Sequence, residues 1–541
     1  MKEKRSSGRR LISYTYDKAG QITEIRDPAG VFTRYEYDIL GRRSRVYNGD
    51  GLEVCYGYDA LNRISSIHYR NGVETAYAYD GDGNISSLET KAGENVLLSF
   101  AYRYDGNGNR TAKSGTQAGA APGGIASENT AGSNALDISY HYDVCGQLLE
   151  ERRNGISVSY VYDKAGNRIK KADVQGATLY QFNRKNQLMA KENPDGKNEF
   201  TYDRQGGIVE EKNPMGTRRF AYNSRHQQNR VETENGRVQE NRYDAENLRF
   251  ELLENGKRTS FVYHNGELLH EEGREEPKSS YHLGRGIDAF QKGQELSYCH
   301  RDEQLSMALI TGGEGEVQNS YQYDAFGVQL EEKEQFHNRI RYTGQQYDEF
   351  TEQYYLKARY YNPVLGRFMQ EDVYQGDGLN LYAYCRNNPV MYFDPSGYEG
   401  CGNSGQIGED ANDNNSLYRK MGEDEYNATI NTGQLQGQIP GTDSSKWLSQ
   451  SYDKVSEFHN DAVIEGTTEY IVEFKMTDEY MRYLEENAIP QAGSRGLPNV
   501  KFHYEGLEMN GLLKNFGITP EELDYFNKNI LEIITKWIGK H

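Results

Sequence analysis

A Tyr-Asp pair that recurs about every 20 residues most restricts how this 541-residue chain can fold. The first four pairs are spaced 21 residues apart, and later copies follow at wider or degenerate steps. The complete pairs place their aspartates at Asp17, Asp38, Asp59, Asp80, Asp105, Asp143, Asp163, Asp203 and Asp244, and degenerate copies stand at Phe182-Asn183, Tyr222-Asn223 and Tyr263-His264. A fixed period of this length indicates a repeat architecture, in which stacked copies bury one another's apolar faces.

The local structure of one copy can be predicted from residues 157–168. Its turn sequence begins with Tyr162-Asp163 and continues through Gly166 to Arg168. Asp at the first turn position can accept hydrogen bonds from the backbone, and Gly three residues later tolerates a positive φ. Residues 157–162 alternate as a strand with one buried face does. Each copy is therefore predicted to be a strand–turn–strand unit of a curved sheet, with tyrosine rings packed in the wall and their hydroxyls hydrated.

The composition changes character near residue 398. Residues 1–398 hold 36 of the 44 tyrosines and 42 of the 57 glycines, whereas both tryptophans, Trp447 and Trp537, lie in the remainder. Residues 399–541 carry 24 acidic and 12 basic side chains, which is most of the net charge of −19. We therefore expect at least two structural units, joined near this point.

The same totals exclude several classes of protein. The excess of acid argues against a stable nucleic-acid binder or an anionic-membrane binder. No apolar run reaches the length of a membrane-spanning helix, and no apolar segment follows the basic first ten residues as in a signal peptide. The five cysteines are scattered without Cys-x-x-Cys spacing, so neither a metal site nor a disulfide framework is predicted.

The repeated units resemble RHS/YD repeats, which are found in bacterial polymorphic toxins and insecticidal toxin complexes. In that family the repeats spiral into a hollow β shell that encloses a C-terminal toxic domain. The resemblance implies a mainly β fold, with residues 1–339 forming such a shell or part of one. The alternative is a solenoid scaffold that displays tyrosines to carbohydrate or protein partners.

The segment 340–398 carries a second resemblance. It contains Tyr354-Tyr355-Leu356-Lys357-Ala358-Arg359-Tyr360-Tyr361-Asn362-Pro363, Gly366-Arg367-Phe368, Asn380-Leu381-Tyr382-Ala383-Tyr384 and Asp394-Pro395-Ser396-Gly397-Tyr398. It resembles the RHS-associated core domain, which plugs the shell and cuts its own chain after Asp-Pro-x-Gly-x. The resemblance assigns the cut to the bond between Tyr398 and Glu399, with Asp372 and Asp394 as the catalytic pair. Family members usually have Leu at the position of Tyr398, and Asp394-Pro395 also suits an ordinary turn.

The remaining residues are predicted to form a linker, 399–416, and a small α+β domain, 417–541. Alternation predicts strands at 417–421, 470–476 and 499–504. Helices are predicted at 423–432 and from Thr519 onward, where a capping-box start precedes an apolar stripe. That stripe consists of Leu523, Phe526, Ile530, Ile533, Ile534 and Trp537.

The order of residues 416–517 resembles ADP-ribosyltransferase-like toxin domains found at the ends of RHS proteins. The resemblance implies NAD as the substrate, held by Arg419 through its pyrophosphate or ribose. Ser449 and Ser451 would line the nicotinamide pocket, and a late glutamate, Glu505 or Glu508, would stabilise the oxocarbenium character of the ribose. No Glu-x-Glu triplet follows a clear catalytic strand in this region, as it does in that family, and each of these residues could instead be an ordinary surface residue.

Two other functions for residues 417–541 stay open. His459, Asp461 and His503 could supply the acid–base groups of a nuclease, although the net charge of this region repels phosphate. A non-enzymatic docking module is the third possibility. The RHS resemblance further implies secretion or display at the cell surface and delivery of the toxin domain into a target cell. The expected partners are a cognate immunity protein, a target macromolecule and secretion machinery.

Overall fold

The structure is a computed structural model, and it describes the chain in segments. These are residues 2–6, 9–49, 51–119, 135–274, 278–373, 380–398, 400–402, 416–422, 446–448, 468–476, 488–490, 502–504, 516–518 and 530–540. The chain divides into two compact units, residues 1–408 and 409–541. Within the described segments, no helix is both long enough and apolar enough to cross a bilayer.

The first unit is built on one antiparallel sheet of 31 strands, β1 to β31, in which each strand pairs with the next along the chain. Its strands are Lys2–Ser6, Arg9–Tyr16, Ile22–Arg26, Phe32–Tyr37, Arg43–Tyr47, Glu53–Tyr58, Ile64–Tyr69, Val73–Tyr79, Ile85–Ala92, Asn95–Tyr104, Arg110–Gln117, Ala135–Tyr142, Leu148–Arg153, Ile156–Tyr162, Arg168–Asp173, Gly176–Phe182, Leu188–Asn193, Gly196–Tyr202, Ile208–Asn213, Gly216–Tyr222, Gln228–Glu232, Val238–Tyr243, Arg249–Glu254, Lys257–His264, Glu267–Gly273, Ser279–Gly284, Gly286–Lys292, Glu295–Arg301, Met307–Thr311, Val317–Tyr323 and Gln329–Glu334. The predicted mainly β fold of successive hairpins is confirmed.

The turn at Asp163 shows how the repeated sequence forms a hairpin. One carboxylate oxygen of Asp163 accepts hydrogen bonds from the backbone N–H groups of Ala165 and Asn167, each at 2.9 Å. Gly166 closes the turn with a φ of 74°, where a side chain would be strained. The register shifts between Val161 and Tyr162, so a bulge lies beside each Tyr-Asp pair of this type. In degenerate copies Asn takes the place of the turn Asp, as at Asn183.

The tyrosine hydroxyls of the repeats join neighbouring copies. Tyr37 donates to the carbonyl of Ile22 at 2.7 Å, and Tyr79 donates to that of Ile64 at the same distance. The same contact to the preceding copy is made by Tyr58, Tyr104, Tyr142, Tyr162, Tyr222, Tyr243 and Tyr263. The sequence predicts hydrated hydroxyls, whereas the structure shows that each donates to the carbonyl of the first residue of a strand in the preceding copy.

The turns of three copies differ from those predicted from the sequence. His264 stays within its strand, and the chain turns instead at Asn265 and Gly266, both with positive φ. Turns of the same design, not recognised in the sequence, begin at Asp302 and Asp324. The first was hidden because its strand ends in Arg301 rather than Tyr.

Residues 340–373 and 380–398 form a layer against one face of this wall. It contains the strands Gln346–Asp348, Gln353–Leu356, Arg359–Asn362, Arg367–Phe368 and Tyr392–Phe393, called β32 to β36, and the 3-10 turns Tyr342–Gly344 and Cys385–Asn387. β36 pairs with β37, Cys401–Gly402. Buried apolar wall residues pack against core residues in one cluster: Tyr180, Leu188, Phe200, Ile208, Phe220 and Val231 against Tyr355, Tyr360, Leu365 and Met369. The fully buried ion pair of Arg249 with Asp348 ties the layer to the wall.

The described part of the second unit consists of strands. They are β38 to β44: Ser416–Gly422, Lys446–Leu448, Thr468–Met476, Ala488–Pro490, Phe502–Tyr504, Phe516–Ile518 and Ile530–Lys540. The predicted strands at 417–421 and 470–476 are confirmed and pair with each other, and the third is present as Phe502–Tyr504. The helix predicted at 423–432 lies outside the described residues.

The helix predicted from Thr519 is wrong over residues 530–540, which form strand β44. This strand pairs with β40 along nearly its whole length. Ile530, Ile533, Ile534 and Trp537 are spaced as on a helix face, but β-branched and aromatic residues also favour strands. A long partner strand was available, and its pairing outweighed the helical spacing.

Candidate self-cleavage site

Three segments of the core layer meet at the candidate site. Arg359 is the first residue of β34, directly after the tight turn that joins it to β33. Asp372 follows β35 by four residues, and Asp394 comes directly after β36. All three side chains are at most 7% exposed. The two aspartates suggested by the RHS resemblance are therefore both buried, and both lie beside the same arginine.

The guanidinium of Arg359 joins the two carboxylates. Its Nη2 lies 2.6 Å from Oδ2 of Asp372 and 3.7 Å from Oδ2 of Asp394. The guanidinium also lies over the ring of Phe368, 3.5 Å from its centroid. Burial against an aromatic ring removes water from these charges, so their mutual attraction is stronger than at a surface.

The same guanidinium reaches the peptide bond at which cleavage is predicted. Nη2 of Arg359 lies 3.5 Å from the carbonyl oxygen of Tyr398, and Nε donates to the carbonyl of Gly397. Nη1 donates to the carbonyl of Leu381 at 3.1 Å. One nitrogen thus contacts both candidate catalytic carboxylates and the oxygen of the candidate scissile bond.

Asp394 also builds the turn that holds this peptide. Its Oδ1 accepts from the backbone N–H of Ser396 at 3.0 Å and of Gly397 at 2.7 Å, so its role as a turn former is real. Gly397 has a φ of 79°, and a Cβ at this position would lie 2.4 Å from the carbonyl oxygen of Leu356. Only glycine lets the turn approach the β33–β34 connection this closely.

Tyr398 is 41% exposed. Its pKa is raised, first by partial burial and then by the negative charge of Asp372, while Arg359 acts in the opposite direction. The phenol therefore lies within the electrostatic field of the site without being enclosed by it.

Arg359 was missed as a functional residue. It stands within the segment 354–363 that carries the family resemblance, but no spacing marked it as a partner of the aspartates. Their meeting depends on the β33–β34 hairpin and on the turn at 394–397, which are tertiary features.

Only Arg419 of the residues proposed for NAD binding lies within the described residues, so their grouping stays a prediction. Arg419 lies in β38, where it pairs with Val472 in β40. Ser449, Ser451, Glu505 and Glu508 lie outside the described residues, as do His459 and Asp461, and His503 lies in β42. Across the segments that the structure describes, no three His, Cys, Asp or Glu side chains are grouped as metal ligands.

Family models match the repeat region and the core layer together. The RHS repeat model matches residues 7–53 and 58–96, and the teneurin YD-shell model matches residues 124–395. The latter covers half of the chain. The chain belongs to the teneurin YD-shell family. The YD-shell match ends within one residue of Asp394, so it contains Arg359, Asp372 and Asp394.

Curated relatives resemble part of this YD-shell chain. The tRNA3(Ser)-specific nuclease WapA of Bacillus spizizenii is 37% identical over 169 residues, which are 28% of this chain and 7% of that protein. The toxin protein Tse5 of Pseudomonas aeruginosa is 30% identical over 103 residues, 19% of this chain and 8% of Tse5. The chain thus spans less than a tenth of the length of either protein.

Solved structures share the fold. The crystal structure of TcdB2-TccC3-TEV has a TM-score of 0.58 at 18% identity, and covers 71% of this chain and 21% of its own. The Photorhabdus luminescens Tc holotoxin pore has a TM-score of 0.55 at 18% identity, with 72% and 21% covered. At this identity the likeness concerns the YD-shell fold alone.

Proposed function

We propose that this YD-shell protein cuts its own chain between Tyr398 and Glu399 and so frees residues 399–541 as a toxin. The observation that carries the proposal is the position of Arg359 Nη2, which contacts Asp372, Asp394 and the carbonyl oxygen of Tyr398. These contacts bring the acid–base groups of a hydrolysis and its carbonyl together around one cation.

The proposed reaction is hydrolysis with two carboxyl groups that share one proton. Water bonds through its oxygen to the carbonyl carbon of Tyr398 while the ionised carboxylate accepts a proton from it. Arg359 stabilises the negative charge that develops on the carbonyl oxygen. The protonated carboxyl then gives its proton to the nitrogen of Glu399 as the C–N bond breaks. The products are a carboxylate at Tyr398 and an amine at Glu399.

Intact mass of the purified chain tests this reaction. We expect two fragments ending at Tyr398 and beginning at Glu399 in the wild type, and one uncut chain in Asp372→Asn and Asp394→Asn. Asp163→Asn is the matched control, because Asn already fills the same turn position at Asn183 and Asn223. An uncut wild-type chain, or cleavage that persists in Asp372→Asn, contradicts the proposal.

For the freed tail we propose an ADP-ribosyltransferase-like activity on NAD, with Arg419 as the NAD-binding cation and Ser449, Ser451 and Glu505 or Glu508 in the pocket. The support is the resemblance of residues 416–517 to such toxin domains. The alternative nuclease activity is favoured by the names of the WapA relatives, which are tRNA nucleases. In either case the tail would act on a macromolecule or nucleotide of a target cell, and an immunity protein would protect the producer.

One assay separates these activities. The full chain is incubated with NAD in one reaction and with total tRNA in another, and Arg419→Ala is run beside it. Loss of NAD that is abolished in Arg419→Ala supports the transferase. Breakdown of tRNA with NAD unchanged supports the nuclease, and inertness in both reactions supports a docking module.

A further inference from the structure

We propose that one turn of the repeat wall, Asp203–Gly206, positions Asp372 for cleavage, acting through Glu371 and Tyr382. Glu371 and Tyr382 are then positioning residues, since neither contacts the peptide bond. The inference rests on the proposed self-cleavage and adds to it a dependence on the wall: the cut requires that this wall turn and the core layer be correctly packed.

The contact between wall and core is a small network around the hydroxyl of Tyr382. This hydroxyl has one proton to donate; the carbonyl oxygen of Gly206, at 2.9 Å, is its nearer acceptor, and Oε2 of Glu371, at 3.2 Å, is the second. Nε2 of Gln187, from another wall turn, donates to it at 3.3 Å. The backbone N–H of Glu371 donates to the same carbonyl of Gly206 at 3.3 Å.

Two residues of this network, Glu371 and Tyr382, are adjacent in sequence to Asp372 or to a residue that positions it. Asp372 follows Glu371, and its N–H donates at 3.0 Å to the carbonyl of Leu381, which precedes Tyr382. That carbonyl also accepts from Nη1 of Arg359. A shift of Tyr382 or Glu371 therefore moves Asp372 relative to the guanidinium and the scissile carbonyl.

The other catalytic carboxylate is held differently. The turn of Asp394 is fixed within the core layer, where the N–H of Ala358 donates to the carbonyl of Ser396 at 3.0 Å. The N–H of Gly397 donates to Asp394 itself. Asp394 is thus held within the core layer, whereas the residues next to Asp372 and to its backbone acceptor Leu381, namely Glu371 and Tyr382, contact the wall turn at Gly206.

Gly206 gives a direct test from the wall side. Its φ is 85°, and a Cβ there would lie 2.6 Å from the Tyr382 hydroxyl oxygen and 2.6 Å from Cβ of Glu371. Gly20 closes an equivalent Asp-x-x-Gly turn with a φ of 89°, but a Cβ there would meet nothing within 4 Å. Both glycines donate to the carbonyl of their turn Asp at 3.4 Å. The two Gly→Ala changes therefore impose the same backbone strain, and only Gly206→Ala presses on the network.

The experiment follows the cut fraction of the full chain over time after pulse-labelled cell-free synthesis. We expect the cleavage rate of Gly206→Ala to fall about tenfold or more, because small misplacements of a catalytic group have effects of this order. Gly20→Ala should cleave at the wild-type rate. Equal rates for the two variants overturn the inference.

A second set of variants keeps the test decisive if Gly206→Ala does not fold. Tyr382→Phe removes only the hydroxyl, and Glu371→Ala removes its acceptor, so both should slow the cut. Glu371→Gln retains an oxygen that can accept from Tyr382 and should restore the rate. Combining Tyr382→Phe with Glu371→Ala should slow the cut no further than Tyr382→Phe alone, since that change already removes the contact between the two residues. Wild-type rates in Tyr382→Phe and Glu371→Ala, or a Glu371→Gln variant as slow as Glu371→Ala, would refute the positioning role.

Failure of this inference can be told apart from failure of the proposed reaction. If the wild type is cut and Asp372→Asn is not, but Gly206→Ala and Tyr382→Phe match the wild type, then only the wall dependence is wrong. If the wild type itself stays uncut, the reaction is wrong and the inference with it.

Discussion

At the scale of single residues, Arg359 is the side chain that connects the separate segments of the candidate site. Its guanidinium uses separate nitrogens for Leu381, for Gly397 and for the two aspartates. Lysine would keep the charge but could not make these contacts at once. We expect Arg359→Lys to slow cleavage about 100-fold, in line with the loss of a donor to a developing oxyanion.

The rate of Arg359→Lys is measured as the cut fraction over time. Arg301→Lys is a suitable control, because Arg301 forms an equally buried contact with Asp288, at 2.8 Å, elsewhere in the wall. A matching slowdown in both variants would mean that general destabilisation, rather than the lost contacts, is responsible.

Tyr398 carries a second prediction at this scale. The resemblance of residues 340–398 to RHS-associated core domains implies Leu at this position, but Tyr398 is 41% exposed. Tyr398→Leu should therefore cleave within about threefold of the wild-type rate, since side chains outside a packed pocket contribute little to positioning. A large gain in rate on Tyr398→Leu would contradict this and show that the site selects Leu.

At the scale of elements, the tyrosine hydroxyls are predicted to stabilise the wall copy by copy. Tyr37→Phe and Tyr79→Phe each remove one hydrogen bond to the preceding copy. Each should lower the free energy of unfolding by about 1 kcal/mol. The double variant should lose about the sum, because the two contacts lie in different copies.

Urea unfolding of the three variants measures this effect. Tyr47→Phe is the control, since Tyr47 is a strand tyrosine whose hydroxyl makes no hydrogen bond to any residue that the structure describes. A loss for Tyr47→Phe as large as for the other two would mean that the hydroxyl-to-carbonyl contact is not the cause.

The turns could be predicted from sequence because they are local. Asp163, its backbone donors and Gly166 lie within five residues, and their residue types alone specify the geometry. The strand at Ile530–Lys540 could not be, since its spacing fits a helix and only pairing with Thr468–Met476 distinguishes the two. The role of Arg359 also could not be predicted from sequence, because its partners come from two other segments of the core.

At the scale of the whole first unit, strands that are distant in sequence pack around two buried histidines. His282 lies in Ser279–Gly284 and His300 in Glu295–Arg301, and residues of Phe32–Tyr37 and Ile64–Tyr69 pack against them. Thr33 lies 2.7 Å from Nδ1 of His282, and the ring of Tyr69 meets that of His300 edge-on at 4.6 Å. Burial lowers the pKa of His282 to about 4 and that of His300 to about 3. We therefore expect the packing between these strands to depend on pH.

The lowered pKa values of His282 and His300 make the folded state less stable in acid. In the unfolded chain a histidine titrates near pH 6.5. Their unfavourable effect on the free energy of unfolding is therefore absent above that pH and grows as the pH falls toward 4 and 3. Asp27 acts on His282 electrostatically; its own pKa is lowered because its hydrogen bonds to His270 and Ser280 outweigh its burial, so it changes stability in the same direction. Asp288 has a raised pKa from burial and acts in the opposite direction, and both aspartates are present in every variant. Replacing both histidines by Gln should therefore flatten the fall in unfolding midpoint between pH 6.5 and 4.5 relative to the wild type, whatever the aspartates contribute. The comparison is made on the uncut Asp372→Asn chain, so that both proteins unfold as one polypeptide. If the unfolding midpoints of the two proteins fall equally with pH, the packing between these strands does not keep the histidines neutral.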